Sequence, residues 1–276
     1  MQFGPVAQLV EQLPLKQWVL GSSPSRINMN KFDYKAEIWD QRNKGQGEPY
    51  KRFVTDPLIL RLCQPIKNKV VMDQGCGNGH LAKKICRCKP KKLILLDFFE
   101  GNLLCAAKNL GKNKFPIILK RADLNKKISL PPKSVDIVTS SMVLSEILNY
   151  QTAIKETYRL LKRNGIYIIA LIHPVYNYKK YLTEKLTGQK SKKITPSRNY
   201  FDPRKSNFIL GLETHSIIKA PHYNRAIQDY ADALSKAGFK LWQIYEPQIP
   251  KNLLRIAPRF KTDLDCPIAL IIKAKK

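Results

Sequence analysis

From residue 70 onward the chain alternates short, continuously apolar runs with segments of helical period. Val70–Asp73, Leu93–Asp97, Pro116–Lys120, Val135–Ser140 and Ile166–Ile172 are the apolar runs, many of them β-branched. Between them stand Leu81–Cys88, Asn102–Leu110 and Gln151–Leu161, the last with apolar residues at Ile154, Tyr158 and Leu161. Strands that are apolar throughout, rather than alternating, belong to a parallel sheet covered on both faces. Their alternation with helices predicts an α/β fold with a doubly wound, mostly parallel sheet. Arg225–Ala237 reads as a further helix stopped by Gly238, and Phe239–Tyr245 and Ile268–Lys273 as two final strands.

Upstream, Lys35–Asn43 and Thr55–Cys63 suit short helices. Asp56-Pro57 predicts the start of the second, with Asp capping and Pro in the first helical position. Gly45–Tyr50 reads as a flexible loop between them. Residues 175–221 break the rhythm: they are rich in Lys, Tyr and Asn and contain Pro196, Pro203 and Pro221. They leave the C-terminal end of the fifth strand, where ligands bind in such sheets, so they are expected to form a lid insertion. Tyr176, Tyr178, Tyr181 and Tyr200 are its candidate aromatic walls.

Composition adds bounds. The 276 residues are 43% hydrophobic, an ordinary globular value. No apolar run reaches 18 residues, so no transmembrane segment is expected. The first residues do not read as a signal peptide, since Glu11 and Pro14 interrupt them. Six cysteines without a zinc-like spacing imply reduced thiols, a cytoplasmic setting and no metal. The net charge of +28 raises the question of nucleic acid. The lysines are scattered along the whole chain, however, as a general compositional bias would place them.

The chemistry concentrates after the first strand, in Asp73-Gln74-Gly75-Cys76-Gly77-Asn78-Gly79. Glycines serve a sharp turn that a ligand must approach closely, and the following helix points free N–H groups at that ligand. Asp73 distinguishes between two ligands. A carboxylate there repels the pyrophosphate of a dinucleotide and favours the ammonium and sulfonium of S-adenosylmethionine. The spacing also departs from G-x-G-x-x-G. Asp97 ends the second strand, where an acid can accept from both ribose hydroxyls, with Phe98 beside it for the adenine face. As a strand-end carboxylate, Asp97 is expected to matter for the ligand and not for stability. Asp123 ends the third strand, with Leu124 next.

On these residues, 29–276 resembles the class I S-adenosylmethionine-dependent methyltransferases. Asp73–Gly79 matches their glycine motif, Asp97 their ribose acid, Asp123-Leu124 their adenine motif and Val135–Ser141 their fourth strand. The resemblance implies a Rossmann-like methyltransferase fold, with seven strands of which the last is antiparallel. It also implies S-adenosyl-L-methionine as cofactor, held by Asp73, Gly75, Cys76, Gly77, Asn78, Gly79, Asp97, Phe98, Asp123 and Leu124, with Ser140 and Ser141 on the methionine part.

Methyl transfer is an in-line displacement in which the protein aligns the nucleophile and excludes water. A base is needed only where the nucleophile holds its proton. The candidates are Glu146, just beyond strand four, His173, which ends strand five, and His222 in His222-Tyr223-Asn224-Arg225. Neither N-P-P-Y nor D-P-P-Y follows strand four, which counts against exocyclic base amines. No Pro-Cys or Thr-Cys ends strand four or five, which counts against a cysteine attacking cytosine. A small-molecule acceptor is therefore the leading expectation. An RNA acceptor on a basic face at Lys179–Lys193 is the alternative, as are a quinone-like or lipid-like acceptor and a cofactor-binding protein without catalysis. Finally, Gly4–Ser25 resembles the translation of a transfer-RNA gene, and the Gly21-Ser22-Ser23-Pro24 cluster breaks any helix there. Residues 1–28 are expected to stand outside the fold, with Met29 as the natural start.

Overall fold

The computed structural model describes residues 36, 40, 41, 43, 45–188, 200, 201, 205–211 and 217–276. Residues 1–28, expected to stand apart, lie outside the described residues, as do Pro196 and Pro203 of the expected lid.

The strands are β1 (Val70–Gln74), β2 (Lys92–Asp97), β3 (Ile117–Arg121), β4 (Val135–Ser141), β5 (Leu161–Ile172), β6 (Lys205–Gly211), β7 (Ile217–Tyr223), β8 (Lys240–Tyr245) and β9 (Ala269–Lys275). Seven of them form one sheet in the order β3-β2-β1-β4-β5-β9-β8. All run parallel except β9, which pairs antiparallel with both β5 and β8. The expected doubly wound, seven-stranded sheet is therefore present. The chain reverses direction across the sheet between β1 and β4, the switch point where such sheets bind ligands.

The helices are α1 (Asp56–Leu62), α2 (His80–Arg87), α3 (Glu100–Leu110), α4 (Tyr150–Leu160), α5 (Pro174–Thr187), α6 (Ile227–Ala237) and α7 (Lys251–Ile256). Strand side chains alternate faces, so each strand supplies two apolar layers. Met72, Ile94, Leu96, Val138 and Ile169 pack with Ile154 of α4 and Leu234 of α6. Val71, Leu93, Leu95, Ile137 and Ile168 pack with Ile59, Leu81 and Leu103 of α1 to α3. Both layers are buried, which is why the strands read as unbroken apolar runs.

Several elements differ from the sequence expectation. Asp56 is not a cap: a π-helical turn, Lys51–Thr55, runs directly into α1. Its carboxylate is buried and paired with Lys84 at 2.7 Å, with His80 at 3.5 Å. A buried charge outranks a free helix end, because it must be compensated. The Gly45–Tyr50 loop is tied down, with Gly45 N–H donating to the Asp40 carbonyl at 3.1 Å. Within 175–221, α5 starts immediately after β5, and β6 and β7 form an antiparallel two-stranded ladder. Helix α7 and a 3-10 turn, Pro258–Asp263, fill the β8–β9 connection, where no apolar period announced them. Among the described residues no helix is long and apolar enough to cross a membrane.

One polar cluster lies inside the apolar layer beneath the site. Gln74 Oε1 accepts from Ser140 Oγ at 2.8 Å and Thr157 Oγ1 at 3.2 Å, and Gln74 Nε2 donates to Thr157 Oγ1 at 2.9 Å. Tyr167 OH lies 2.9 Å from Ser140 Oγ. These groups satisfy one another in a dry interior, where a lone polar atom is costly. Gln74→Leu keeps the volume but leaves three hydroxyls short of a partner. Urea titration should show a loss of about 1–3 kcal/mol with an unchanged m-value.

Candidate active site

The site grows from the ends of β1, β2 and β4. Parallel register sets Asp73 beside Leu95 and Thr139, and Asp97 beside Arg121, so their side chains reach one edge. Asp73 is buried and its Oδ1 accepts from Thr139 Oγ1 at 2.7 Å. Burial pushes its pKa up to about 7, with the Thr139 hydrogen bond opposing; Asp56 and Asp97 add to the rise and Lys51 counters it. A carboxylate held near 7 in this way gains from a cation.

The glycine loop sits on this acid. Gly75 and Cys76 both donate to the Leu96 carbonyl, at 2.7 and 3.0 Å, locking the loop to the end of β2. A Cβ on Gly75 would stand 2.4 Å from the Val143 side chain, so the loop closes against the turn after β4 only as glycine. Gly77 is the contrasting case. It is left-handed (φ +54°) with open space where a Cβ would be, the condition for a ligand to approach its backbone. Asn78 is drawn away, its Nδ2 bonded to Asp40 Oδ1 at 2.7 Å, an oxygen that also accepts from Asn109 at 2.7 Å. Through Asn78 the chain preceding β1 is fastened over the loop.

Asp97 has more to do than the sequence indicated. It accepts from Gly77 N–H (2.9 Å), Phe99 N–H (3.0 Å) and Asn102 Nδ2 (3.0 Å), and is 6% exposed. It holds the loop and the start of α3 in place, which corrects the expectation that it leaves stability untouched. Burial raises its pKa against those hydrogen bonds. Its Oδ2 accepts from Gly77 alone among the bonds described and keeps a lone pair for a ribose hydroxyl. Phe98 is exposed, with the Arg121 guanidinium 5.5 Å from its ring centroid. Asp123 turns back on its own loop, accepting from Asn125 N–H and Nδ2 at 3.0 and 2.9 Å, while Leu124 is buried beside it.

The post-β4 residues divide. Ser140 Oγ belongs to the buried cluster with Gln74 and Tyr167, so only its backbone faces a ligand's path. Ser141 Oγ is buried and has no hydrogen-bond partner among the described residues. Met142 is left-handed (φ 63°), a strained turn of the kind that gathers at functional edges.

The three catalytic candidates separate on geometry. His173 Nε2 bonds Glu246 at 2.9 Å and its Nδ1 accepts from Val175 N–H at 3.2 Å, so the ring ties α5 to the end of β8. His222 is buried and pushed down to about 4 by desolvation and by Arg225, and its Nε2 is 3.0 Å from Asn177 Nδ2. His173 is thus engaged through both ring nitrogens and His222 through Nε2. Glu146 differs. Its side chain is exposed, and the protein packed around it, with Asp97, raises it to about 7 against the pull of Lys51. Its turn is clamped by Arg225, which donates to the Leu144 and Leu148 carbonyls at 2.8 and 3.1 Å. Lys51, which no motif marks, acts by its charge on both Asp73 and Glu146 from the π-helical turn.

This donor set fits S-adenosylmethionine: an acid for its ammonium, an acceptor for its ribose, open backbone at Gly77 and an exposed ring at Phe98. The comparisons agree. A family model described as a methyltransferase domain matches residues 72–169. A ubiquinone biosynthesis O-methyltransferase of Pelagibacter ubique is 27% identical over 55% of this chain and 67% of its own. A tRNA U34 carboxymethyltransferase of Helicobacter pylori is 23% identical over 87% of this chain and 95% of its own. The crystal structure of an S-adenosylmethionine-dependent methyltransferase from Mesorhizobium loti superposes with a TM-score of 0.61 at 18% identity, covering 84% of this chain and all of that one.

Asp97→Ala should weaken binding of the demethylated cofactor, measured by calorimetry, by about 10- to 150-fold, because charge-assisted hydrogen bonds contribute roughly 1.5–3 kcal/mol. It should also lower unfolding stability by roughly 1–3 kcal/mol, since three donors lose their acceptor. Unchanged affinity would place the ribose elsewhere.

Proposed function

We propose that this chain, a class I S-adenosylmethionine-dependent methyltransferase, methylates a small-molecule acceptor by in-line transfer, with Glu146 as the general base. The observation that carries this reading is Glu146 itself: it is a solvent-touching carboxylate raised to about 7, on a turn that Arg225 holds, beside the cofactor acids. When bound, S-adenosylmethionine supplies a methyl group on a positively charged sulfur. Asp73 would hold the ammonium of the methionine part. Asp97 would accept from the ribose, Phe98 would cover the adenine, and Asp123 and Leu124 would meet its edge. Gly75, Cys76, Gly77, Asn78 and Gly79 bring the backbone close, and Ser141 Oγ with the Ser140 backbone would line the methionine side. Ionised Glu146 would take the proton from an acceptor hydroxyl, the role for which a pKa near 7 is best matched.

The Pelagibacter relative is by its name an O-methyltransferase, which accords with a hydroxyl acceptor. Helix α5, with Tyr178, would cover the acceptor in this reading; Tyr176 is buried with Leu253 and Ala257 and donates to Asp263 at 3.2 Å, and Tyr181 is not among the described side chains. The described cysteines are all free thiols, as in a cytoplasmic enzyme.

An RNA acceptor is the second reading. It is favoured by the match to the Helicobacter tRNA enzyme along 87% of this chain and by the +28 charge. Against it, Lys179 of the proposed basic face is paired with Asp265 and with the Thr262 carbonyl, and the rest of that face runs into residues outside the described ones. Isotopically labelled methyl donor, offered in parallel to a metabolite extract and to total tRNA, separates the two. Label should enter small molecules. Label in RNA, with binding that weakens steeply as salt rises, would replace this reading with the second.

Turnover of the labelled product should rise about tenfold per pH unit below about 7 and level off above it, because Glu146 works only when ionised. Glu146→Gln should lower turnover by about 10²- to 10⁴-fold and remove that limb. A variant with wild-type turnover would exclude Glu146 as base.

A further inference from the structure

Asn177 stands on the first turn of α5, directly beyond the end of β5, and is 3% exposed. Its Nδ2 donates twice, to His222 Nε2 at 3.0 Å and to Asn224 Oδ1 at 2.9 Å. An amide nitrogen only donates, so Nε2 is the accepting nitrogen and the His222 proton sits on Nδ1. The reversed amide would set its oxygen against Asn224 Oδ1. With Asn224 Oδ1 and His222 Nε2 both accepting, this orientation leaves Asn177 Oδ1 buried with no donor among the described residues. Buried carbonyl oxygens are nearly always satisfied, and one that is not calls for an explanation.

The position of this oxygen supplies one. His222 lies at the end of β7, Asn224 and Arg225 lie in the connection to α6, and Arg225 holds the turn that carries Glu146. Strands β4 and β5 are neighbours, with Ser141 opposite Ala170, and Ser141 Oγ is another buried group on this edge without a partner among the described residues. Two unfilled polar atoms and the exposed Glu146 carboxylate therefore share the end of the sheet where the acceptor must enter. All three accept hydrogen bonds. Asp73 and Asp97 lie on the same edge, where Glu146 joins them and Lys51 is the countercharge described for Asp73 and Glu146, so the edge is acidic on balance and disfavours an anionic acceptor.

We propose that Asn177 Oδ1 binds the methyl acceptor, by taking a hydrogen bond from a hydroxyl or N–H group other than the one methylated. The substrate class is then an uncharged small molecule with at least two donors: Asn177 would hold one, and Glu146 would take the proton of the other, whose oxygen or nitrogen gains the methyl group as the methyl–sulfur bond breaks and S-adenosylhomocysteine leaves. The proposal rests on the methyltransferase reading above. His222 and Asn224 are positioning residues, because they fix which end of the Asn177 amide faces the acceptor.

The test uses the full chain with bound S-adenosylhomocysteine and a probe panel: catechol, resorcinol and hydroquinone, their dimethyl ethers, and benzoate. Binding is read by ligand-observed NMR, and methyl transfer from labelled S-adenosylmethionine by mass. At least one diol should bind more tightly than its dimethyl ether and than benzoate, and should accept one methyl group. Asn177→Ala should weaken that diol at least tenfold, while the dimethyl ether and S-adenosylhomocysteine keep their affinities. A merely structural role would weaken diol and ether alike. Asn177→Thr, which retains an acceptor oxygen, should recover part of the preference and serves as the test if the alanine variant does not hold S-adenosylhomocysteine. Equal binding of diol and ether, no diol bound, tighter binding of benzoate, or a preference that survives both substitutions would each overturn the proposal. Failure of the unmutated chain to bind S-adenosylhomocysteine would instead bring down the methyltransferase reading itself.

Discussion

Two carboxylates of like charge, Asp73 and Asp97, are buried at the ends of adjacent parallel strands, and the surrounding structure is organised around making that tolerable. Burial disfavours the charged form of each, and Asp97 raises Asp73 further. Asp97 is compensated by three hydrogen bonds, two of them from backbone N–H groups of the glycine loop and the β2–α3 turn. Asp73 has one, from Thr139 on the neighbouring strand. The imbalance gives the site its direction. Asp97 is a scaffold that keeps a lone pair in reserve, whereas Asp73 has little to stabilise its charge until a cation arrives. The loop then has to pass close over both acids, which is why Gly75 fits against Val143 and why open space remains above Gly77.

The same constraint spreads outward. The loop is held from above by Asp40 through Asn78 and Asn109. Asp56 is another buried acid, paired with Lys84 and His80 at the first turn of the helix that follows the loop. On the acceptor side, Arg225 stacks on Tyr150 with 4.1 Å to the ring centroid and fixes the turn bearing Glu146. A chain of net charge +28 thus keeps its functional edge locally acidic. The overall charge speaks to what the surface attracts at a distance, and the local acids to what can react.

The strands, most helices and the placing of Asp73, Asp97 and Asp123 at or just beyond strand ends were legible in the sequence because each rests on local information. An apolar run between breakers marks a buried parallel strand, and the acid that ends it lands at the C-terminal edge whatever the tertiary detail. What depended on distant partners was not legible. Gln74 and Thr157 are 83 residues apart, and His173 and Glu246 are 73. No local pattern could tell that Ser140 belongs to a buried cluster while Ser141 does not, or that both candidate histidines already have partners. Asp56 misled for the opposite reason: Asp-Pro is a sound local start signal, and a buried ion pair overrode it. Lys51 and Asn177 were missed because a lone Lys or Asn carries no pattern until the fold brings it to an edge.

We propose that Asp73 stands ready for the cationic end of the cofactor. Calorimetric titration of S-adenosylmethionine between pH 5.5 and 8 tests it most directly. The acid sits near 7 in the folded chain and must be ionised to hold the ammonium. Affinity should therefore fall by up to about tenfold per pH unit below that value, with proton release on binding at pH 6. It should level off above that value and lose this dependence in Asp73→Asn. Affinity that is flat across the range in the unmutated chain, or identical in Asp73→Asn at pH 8, would contradict the account.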